Sequence, residues 1–491
     1  MELSLIKYTV SMFLVYPLAA LLRALPNSTS KHLFSFVVGV AIVQWVFEGD
    51  WIHTFASSVG TYLICAVAPK KWTGPLAFVW VMTYMTMSHW YRMYVSYMSG
   101  MFDFTGTQMV LTMKLTSFAW NYWDGTADYK RVFSDVDSKT VEKNKERRRL
   151  AITTLPNPIE YFGYVYCFTC ILAGPSFEYK DYMDGIMGSM LIFKGAEGGA
   201  GEGENKIPVK SAPSPLPSAL MSLGIGVFWL VVKLVMGGYF PLATYKDAST
   251  PGVPYNMVPN LSNPAWLDSY PNVVVRFLVL MLTLQAERYK YYFAWKVAEG
   301  SCQLAGFGFQ GFDSKGTALG WRGVENIDIW GFETSWNIQT MTRAWNKRTQ
   351  KWLDLYTYQR TGGSLIATYF VSAFWHGLYP GFYFFFLSVP LVTQIERLAR
   401  IKINPIIIPG YDFKRPHETY SYNAAGIAYV ILGWLSFFPL MNYVTQVFAV
   451  GTMENTFKAL GSYSYWGHIA LVLGYVTLTI MPTPAKSTKA D

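Results

Sequence analysis

Hydrophobic residues fall in long stretches that are separated by short polar segments. A helix that crosses a bilayer needs roughly 20 mostly apolar residues. Windows of this kind lie at about 4–25, 31–48, 51–68, 73–98, 159–175, 217–242, 271–285, 364–389, 424–448 and 462–482. Further hydrophobic segments are interrupted by polar residues, so we expect about ten to twelve spans in all. The pattern predicts an all-α, polytopic integral membrane protein.

The composition agrees with this pattern. Hydrophobic residues make up 52% of the 491 residues and charged residues only 14%, whereas a soluble domain is about one-quarter charged. The first stretch, residues 3–25, has neither a strongly basic start nor a clear small-residue cleavage site, so we interpret it as an uncleaved span. The net charge is +9, but the basic residues lie in short connections, a distribution that does not favour nucleic-acid binding.

Two hydrophilic segments and a short tail interrupt or follow the hydrophobic stretches. Residues 134–158 contain five basic residues from Lys143 to Arg149, which predict a cytoplasmic loop by the positive-inside rule. Residues 195–218 are rich in Gly, Glu, Pro and Ser, a composition typical of a mobile linker. The tail, residues 483–491, is polar. None of them is long enough to form a domain, so we expect one membrane-embedded domain over residues 1–491.

The four cysteines lie among apolar or aromatic residues and do not indicate a disulfide framework. Cys167 and Cys170 form a C-x-x-C, but no second cysteine or histidine pair accompanies it. We therefore interpret both as small apolar residues. Because H-E-x-x-H spacing is also absent, we expect no metal site.

His376 has an unusual setting, because it is the only histidine, acidic or basic residue between positions 365 and 386. An ionisable group within such a stretch is a candidate functional residue. Two interpretations are open: a structural histidine hydrogen-bonded near Ser372 or Tyr379, or a neutral imidazole that takes a proton from a hydroxyl. Other charged residues in apolar segments are expected to be paired structural charges or interfacial residues, namely Asp103, Lys114, Glu160, Glu178, Glu287, Arg288 and Lys290.

Residues 342–360, TRAWNKRTQKWLDLYTYQR, predict an amphipathic helix at the membrane surface. At about 100° per residue, aromatic side chains share one stripe and basic side chains another, with Asn346 at their border. The aromatic stripe comprises Trp345, Trp352 and Tyr356, and the basic stripe comprises Arg343, Lys347 and Lys351. Such a helix is either a structural anchor or a surface that attracts a phosphate-bearing cofactor or headgroup.

Together with other blocks, these residues give the sequence a resemblance to the membrane-bound O-acyltransferase family, in particular to its lysophospholipid acyltransferase branch. Five blocks carry the resemblance, in order between about residues 90 and 390: DFTGTQMVLTMKLTSFAWNYWDG (103–125), LPNPIEYFGYVYCFTCILAGPSFEY (155–179), RYKYYFAW (288–295) with EGSCQLAGFGF (299–309), WNKRTQKWLDLYTYQR (345–360) and SAFWHGLYPGFYFFF (372–386). A single W-H-G is weak evidence, whereas five ordered blocks are strong.

The resemblance implies about eleven transmembrane helices around a catalytic chamber, with acyl-CoA entering from the cytosol and a lysophospholipid from the bilayer. It implies His376 as the family's invariant histidine. The pattern W-N-x-x-T/V-x-x-W-L followed by Y-x-R selects Asn346 rather than Asn337 as the partner asparagine. The connection TGGS, residues 361–364, looks shorter than is usual in the family, which leaves the separation of Asn346 from His376 open.

On this basis we expect catalysis by His376 and Asn346. Expected substrate contacts are Trp345, Trp352, Arg343, Lys347, Lys351, Trp375 and Tyr379. Acyl-CoA is the expected co-substrate, with no permanently bound cofactor, and lysophosphatidylcholine is expected among the acceptors. The expected location is the endoplasmic reticulum membrane. A related acyltransferase acting on diacylglycerol, a sterol or a peptide is the nearest alternative, and a transporter, for which no internal repeat is visible, is the alternative from another class.

Overall fold

The computed structural model describes residues 3–100, 102–134, 138–193, 210–245, 257–408 and 424–484. Helices dominate these ranges. The α-helices are α1 (Leu3–Ala24), α2 (Ser28–Phe47), α3 (Trp51–Val67), α4 (Thr73–Val95), α5 (Thr105–Gly125), α6 (Tyr129–Val132), α7 (Ser138–Leu150), α8 (Pro158–Val165), α9 (Tyr179–Met187), α10 (Leu216–Tyr239), α11 (Pro264–Asp268), α12 (Val273–Leu304), α13 (Ile329–Glu333), α14 (Ile338–Ala344), α15 (Lys347–Leu353), α16 (Leu365–His376), α17 (Pro380–Lys402), α18 (Asn404–Ile407), α19 (Ala424–Val450), α20 (Met453–Gly461) and α21 (Trp466–Ile480).

Shorter elements join these helices. The 3-10 helices are Glu48–Asp50, Lys70–Trp72, Asn260–Ser262 and Arg322–Val324, and a π-helical turn covers Asp354–Tyr358. Two small antiparallel sheets pair β1 (Ile192–Phe193) with β2 (Lys210–Ser211) and β3 (Ala243–Tyr245) with β4 (Met257–Pro259). The strands lie in connections between helices, so the fold is all-α in its framework.

Several helices are long and apolar enough to cross a membrane. By length and composition these are α1, the run Ser28–Val67 that holds α2 and α3, α10 and α19, while α16 and α21 are shorter apolar helices. Each lies within or close to a predicted hydrophobic window, so a multi-pass helical membrane protein is confirmed. The number of about eleven spans stays a prediction.

Two hydrophobic windows are not single helices. Within 159–175, α8 ends at Val165 and turns follow, because the apolar side chains there are buried in the protein: Tyr161, Tyr164 and Tyr166 are all fully buried. The window 364–389 is divided into α16 and α17 at Gly377, whose φ of +135° favours glycine and ends the first helix. Burial in protein and exposure to lipid both select apolar residues, and hydrophobicity alone does not separate them.

The hydrophilic segments also differ from the expectation. Residues 134–158, predicted as a loop, contain helix α7. Most of the linker-like segment 195–218 lies outside the described residues, which resume at residue 210, and α10 already begins at Leu216. The tail is described only to residue 484.

Lys114 provides hydrogen-bond donors for backbone carbonyl groups at the end of α8. It lies on α5 and is fully buried, and its ammonium group donates to the carbonyl oxygens of Tyr164 at 2.5 Å and Val165 at 3.2 Å. These carbonyls lie at the end of α8, where the i+4 bonds of the helix stop; that of Tyr164 also accepts from the backbone N–H of Cys167 at 3.2 Å. Other charged residues in apolar segments are paired as expected: Asp103 with Arg92, Glu287 with Lys233, and Arg288 with Glu333.

Helix α2 approaches the backbone after α8 so closely that only glycine fits at one position. A Cβ added to Gly39 would lie 1.8 Å from the carbonyl oxygen of Tyr166. We predict that Gly39→Ala lowers the stability of the purified protein by about 1–3 kcal/mol, because backbone must move to relieve the overlap.

Thermal unfolding in detergent, followed by tryptophan fluorescence, tests this prediction. Gly224→Ala is the matched control, because Gly224 is also helical and a Cβ there meets nothing within 4 Å. Equal melting temperatures for the two variants would contradict the close approach of α2.

Candidate active site

Two tryptophans attach the candidate catalytic segments to α5. The indole N–H of Trp352 donates to the hydroxyl oxygen of Thr116 at 2.9 Å, and that of Trp375 donates to the carbonyl oxygen of Met109 at 2.9 Å. Met109 and Thr116 are seven residues apart and therefore lie on one face of the helix. The two indole rings also contact each other, with centroids 6.0 Å apart. Residues 345–360, here called the W-N segment, and α16, here called the histidine helix, thus dock side by side on α5.

The single helix predicted for residues 342–360 is wrong. Helix α14 ends at Ala344 and α15 begins at Lys347, because Asn346 adopts φ +44° and ψ +52° in the left-handed region. Asparagine is one of the few residues other than glycine that tolerates this conformation. Asn326 holds the break: its carbonyl oxygen accepts from the backbone N–H of Lys347 at 2.8 Å. A helical wheel drawn through the break has no physical meaning.

The aromatic stripe predicted for the membrane surface is buried in the protein. Trp352 is 3% and Tyr356 4% exposed. Trp345 contacts a different set of rings from Trp352, with centroid distances of 5.0 Å to Trp295 and 4.8 Å to Phe332. The aromatic residues of this segment therefore fasten it to its neighbours on two sides.

Two of the three predicted basic contacts are already neutralised. Lys347 forms an ion pair with Glu325 at 2.7 Å, and Lys351 forms one with Glu146 at 2.5 Å. Arg343 is exposed at the end of α14. The predicted basic stripe is therefore not a continuous positive surface.

The two candidate asparagines have different hydrogen bonds. The side-chain oxygen of Asn337 accepts from the backbone N–H of Thr340 at 2.8 Å, which makes it the N-cap of α14. The side-chain oxygen of Asn346 accepts from the hydroxyl of Thr349 at 2.9 Å. Its Nδ2 has no hydrogen-bond partner within the described ranges, so this amide keeps two N–H donors for another molecule.

His376 is the last residue of α16, and its ring has a defined tautomer. Its Nδ1 lies 2.7 Å from the carbonyl oxygen of Ser372, which can only accept. A neutral ring therefore donates from Nδ1 and keeps its lone pair on Nε2. The ring lies among aromatic side chains, with centroids 4.9 Å from Phe386 and 5.3 Å from Phe448, yet remains partly exposed. Ser372 is a partner as the sequence suggested, through its carbonyl group.

Trp375 and Tyr379 flank this histidine along the chain. The ring of Trp375 is 4.7 Å from that of His376, and its carbonyl oxygen accepts from Nε2 of His89 at 3.0 Å. The hydroxyl of Tyr379 accepts from the backbone N–H of Met98 at 3.0 Å. Both residues hold the backbone on either side of His376.

Asp124 is a residue that the sequence analysis missed. Its carboxylate, at the end of α5, is fully buried and binds Arg147 at 2.5 Å and Arg360 at 2.9 Å. The guanidinium of Arg360 also stacks on Trp120, 4.1 Å from the ring centroid. Arg360 and Asp124 both lie in blocks that carry the family resemblance, but no local spacing relates residues so far apart in the chain.

Helix α7 binds the W-N segment through charge. Glu146 of α7 pairs with Lys351 and with Arg149, and Arg149 pairs with Asp181 of α9 at 2.6 Å. Partial burial raises the pKa of Glu146, but the hydrogen bonds and positive charges of Arg149 and Lys351 outweigh it and lower this pKa to about 2. The carboxylate is therefore charged at neutral pH, and the helix stays attached to α15.

A buried network joins the LAGPSFE block to the same segment. The hydroxyl of Tyr356 lies 2.9 Å from the side-chain oxygen of Asn121 and 2.9 Å from a carboxylate oxygen of Glu178. Asn121 donates to the same carboxylate at 2.9 Å. Glu178 therefore holds the π-helical turn through neutral partners, a tyrosine hydroxyl and an amide, rather than through the ion pair expected from the sequence.

The C-x-x-C has no visible chemistry in this arrangement. Cys167 and Cys170 are buried free thiols, and the sulfur of Cys170 lies 3.4 Å from the ammonium of Lys114. Within the described ranges, no three His, Cys, Asp or Glu side chains are grouped so that they could hold a metal ion.

The family model for the membrane-bound O-acyltransferases matches residues 90–235 and 253–407, which include the W-N segment, the histidine helix and α5. The chain belongs to this family. A "Lysophospholipid acyltransferase" of Schizosaccharomyces pombe is 30% identical, with 86% of this chain and 78% of the relative aligned. A protein of the same name from Saccharomyces cerevisiae is 27% identical over 96% of this chain and 73% of its own length. The human "Membrane-bound glycerophospholipid O-acyltransferase 1" is 27% identical over 96% and 89%.

We predict that Asp124→Ala destabilises the protein by about 3–5 kcal/mol, because two arginines then lose their buried carboxylate. The melting temperature in detergent measures the effect. Glu142→Ala is the control, because the side chain of Glu142 is 74% exposed and its ion pair with Lys145 lies at the surface. If both variants unfold at the wild-type temperature, Asp124 does not hold the two arginines as described.

Proposed function

We propose that the protein transfers an acyl group from acyl-CoA to the free hydroxyl of a lysophospholipid. Membership of the acyltransferase family and the names of its relatives support this activity. The observation that carries it is the tautomer of His376, which leaves Nε2 with a lone pair in an aromatic environment. Lysophosphatidylcholine among the acceptors and residence in the endoplasmic reticulum membrane are parts of the same proposal.

His376 acts as the general base in this scheme. Nε2 takes the proton of the acceptor hydroxyl while its oxygen attacks the thioester carbonyl carbon. The tetrahedral intermediate collapses, the carbon–sulfur bond breaks, and the coenzyme A thiolate leaves and takes the proton from the imidazolium. The products are a phospholipid and free coenzyme A, so no metal or acyl-enzyme enters the balance. The aromatic rings around His376 limit access of water, which would otherwise hydrolyse the thioester.

Asn346 acts as the donor to the developing oxyanion. Its oxygen is fixed by Thr349, so the Nδ2 amide has a defined direction. A preorganised donor of this kind contributes about 10²–10³ in rate. Asn337 is less suited, because its side chain already caps α14.

The remaining predicted contacts have separate roles in the proposal. Trp345, Trp352, Trp375 and Tyr379 shape the chamber, mainly by holding the two catalytic segments. Arg343 is an exposed cation on the path of a phosphate-bearing substrate. Lys347 and Lys351 contribute less charge than the sequence suggests, since each is paired with a glutamate.

We predict that His376→Ala abolishes transfer while the protein still binds coenzyme A. Purified wild type and variant are assayed with a panel of lysophospholipids and acyl-CoAs, and binding is measured by calorimetry. His53→Gln, which alters a histidine bonded to Tyr84 on α4, is the matched control. Full activity of His376→Ala would rule out the general base, and an inactive wild type on every acceptor would rule out the proposed reaction.

We predict that Asn346→Gly and Asn346→Ala both lose about 10²–10³ in kcat, because both lack the amide. Glycine adopts φ +44° without strain, whereas alanine does not, so the pair separates backbone from side chain. The measurement is kcat at saturating substrates together with the melting temperature. An active glycine variant beside an inactive alanine variant would mean that Asn346 serves only the turn.

A further inference from the structure

Arg348 is a basic residue of the W-N segment, and it differs from Lys347, Lys351 and Arg360 in the contacts of its charged group. It lies two positions after Asn346, and its backbone N–H donates to the side-chain oxygen of Asn326 at 3.1 Å. Its guanidinium, however, forms no hydrogen bond and no ion pair in the part of the chain that the structure describes. The Nε atom is fully buried without an acceptor.

Other buried arginines do not share this property. Three of them also have an Nε without an acceptor, but their terminal nitrogens are bonded: Arg288 binds Glu333, Arg360 binds Asp124, and Arg400 binds Glu396. Among the described residues, the terminal nitrogens of Arg348 have no such partner, and unlike Nε they are not completely buried. A guanidinium that is largely removed from water and unpaired is costly for the folded protein.

Carboxylates lie near Arg348 but are occupied elsewhere. Its electrostatic neighbours are Asp181, Glu178 and Glu299. Asp181 binds Arg149, Glu178 accepts from Tyr356 and Asn121, and Glu299 binds Lys296 at 3.0 Å. Burial lowers the pKa of Arg348, and the attraction of these carboxylates opposes that effect. The four N–H donors of the two terminal nitrogens remain available for another anion.

We infer that Arg348 binds a phosphate group of a substrate through its unpaired guanidinium on α15. The inference rests on the proposed acyltransferase activity and names one of its substrate contacts. Both substrates carry phosphate: acyl-CoA in its nucleotide part and the lysophospholipid in its headgroup. A guanidinium binds phosphate through two parallel hydrogen bonds, and the terminal nitrogens of Arg348 have the donors for such a pair.

Kinetics of Arg348→Met test the contact and separate the two sources. Loss of a charged hydrogen-bonding group raises the KM of the bound substrate by about ten- to a hundredfold. Acyl-CoA is varied at saturating lysophospholipid in one series, and lysophospholipid at saturating acyl-CoA in the other. A rise in the KM of acyl-CoA alone assigns the nucleotide phosphates, and a rise in that of the lysophospholipid alone assigns the headgroup. Arg131→Met, which removes one exposed arginine, is the control for net charge.

Arg348→Lys and the melting temperature complete the test. Lysine keeps the charge but not the two parallel donors, so its KM should lie between those of the wild type and the methionine variant. Because the guanidinium of Arg348 has no partner among the described residues, Arg348→Met should melt no lower than the wild type. Unchanged KM values, an equal rise in both, or a lower melting temperature would each overturn the inference. If the wild type itself transfers no acyl group to any lysophospholipid, the proposed function is overturned instead.

Discussion

The architecture depends on α5, a helix with protein on every side and with polar groups on several faces. Thr116 and the carbonyl group of Met109 receive the two indole N–H donors, and Asp124 receives two arginines. These groups are buried, so leaving any of them without its hydrogen-bond partner would cost free energy of folding. Each group therefore fixes the position of the segment that carries its partner. Segments that are distant in sequence are therefore held in register by hydrogen bonds of defined direction, a precision that apolar contact alone does not provide.

The W-N segment shows how this constraint produces local irregularity. Trp345 is fixed among aromatic rings around α12 and α13, whereas Trp352 is fixed to α5. If the helix continued straight through Asn346, the side chains of Trp345 and Trp352 would point in other directions and could not make both sets of contacts. The left-handed conformation at Asn346 changes the direction of the chain between them, and Asn326 satisfies the backbone that the break exposes. The same break turns the amide of Asn346 away from a regular helical surface.

The sequence predicted most of the framework because hydrophobicity and length directly determine a membrane helix. The absence of other charges around His376 made it a candidate for catalysis, and the family pattern made Asn346 one; both stay predictions. Prediction from the sequence failed where tertiary contacts decide the outcome: the tyrosines of α8 are apolar because protein buries them, and helix α7 is stable because Glu146 and Arg147 find distant partners. Local spacing carries no signature of the pairing of Asp124 with Arg360, nor of the lack of a partner for Arg348 within the described ranges.

The end of α16 at Gly377 has a consequence for charge. A helix terminates there, so the aligned peptide dipoles place their negative end beside the His376 ring. In the proposed reaction that ring becomes a cation among aromatic groups that solvate charge poorly. The helix dipole offsets part of that cost by about 0.3–1 kcal/mol, and up to about 2 kcal/mol where the site is partly buried. A histidine in the middle of the same span would lack this support. The glycine that ends α16 therefore also places the catalytic ring of the proposed reaction where the helix dipole stabilises its protonated form.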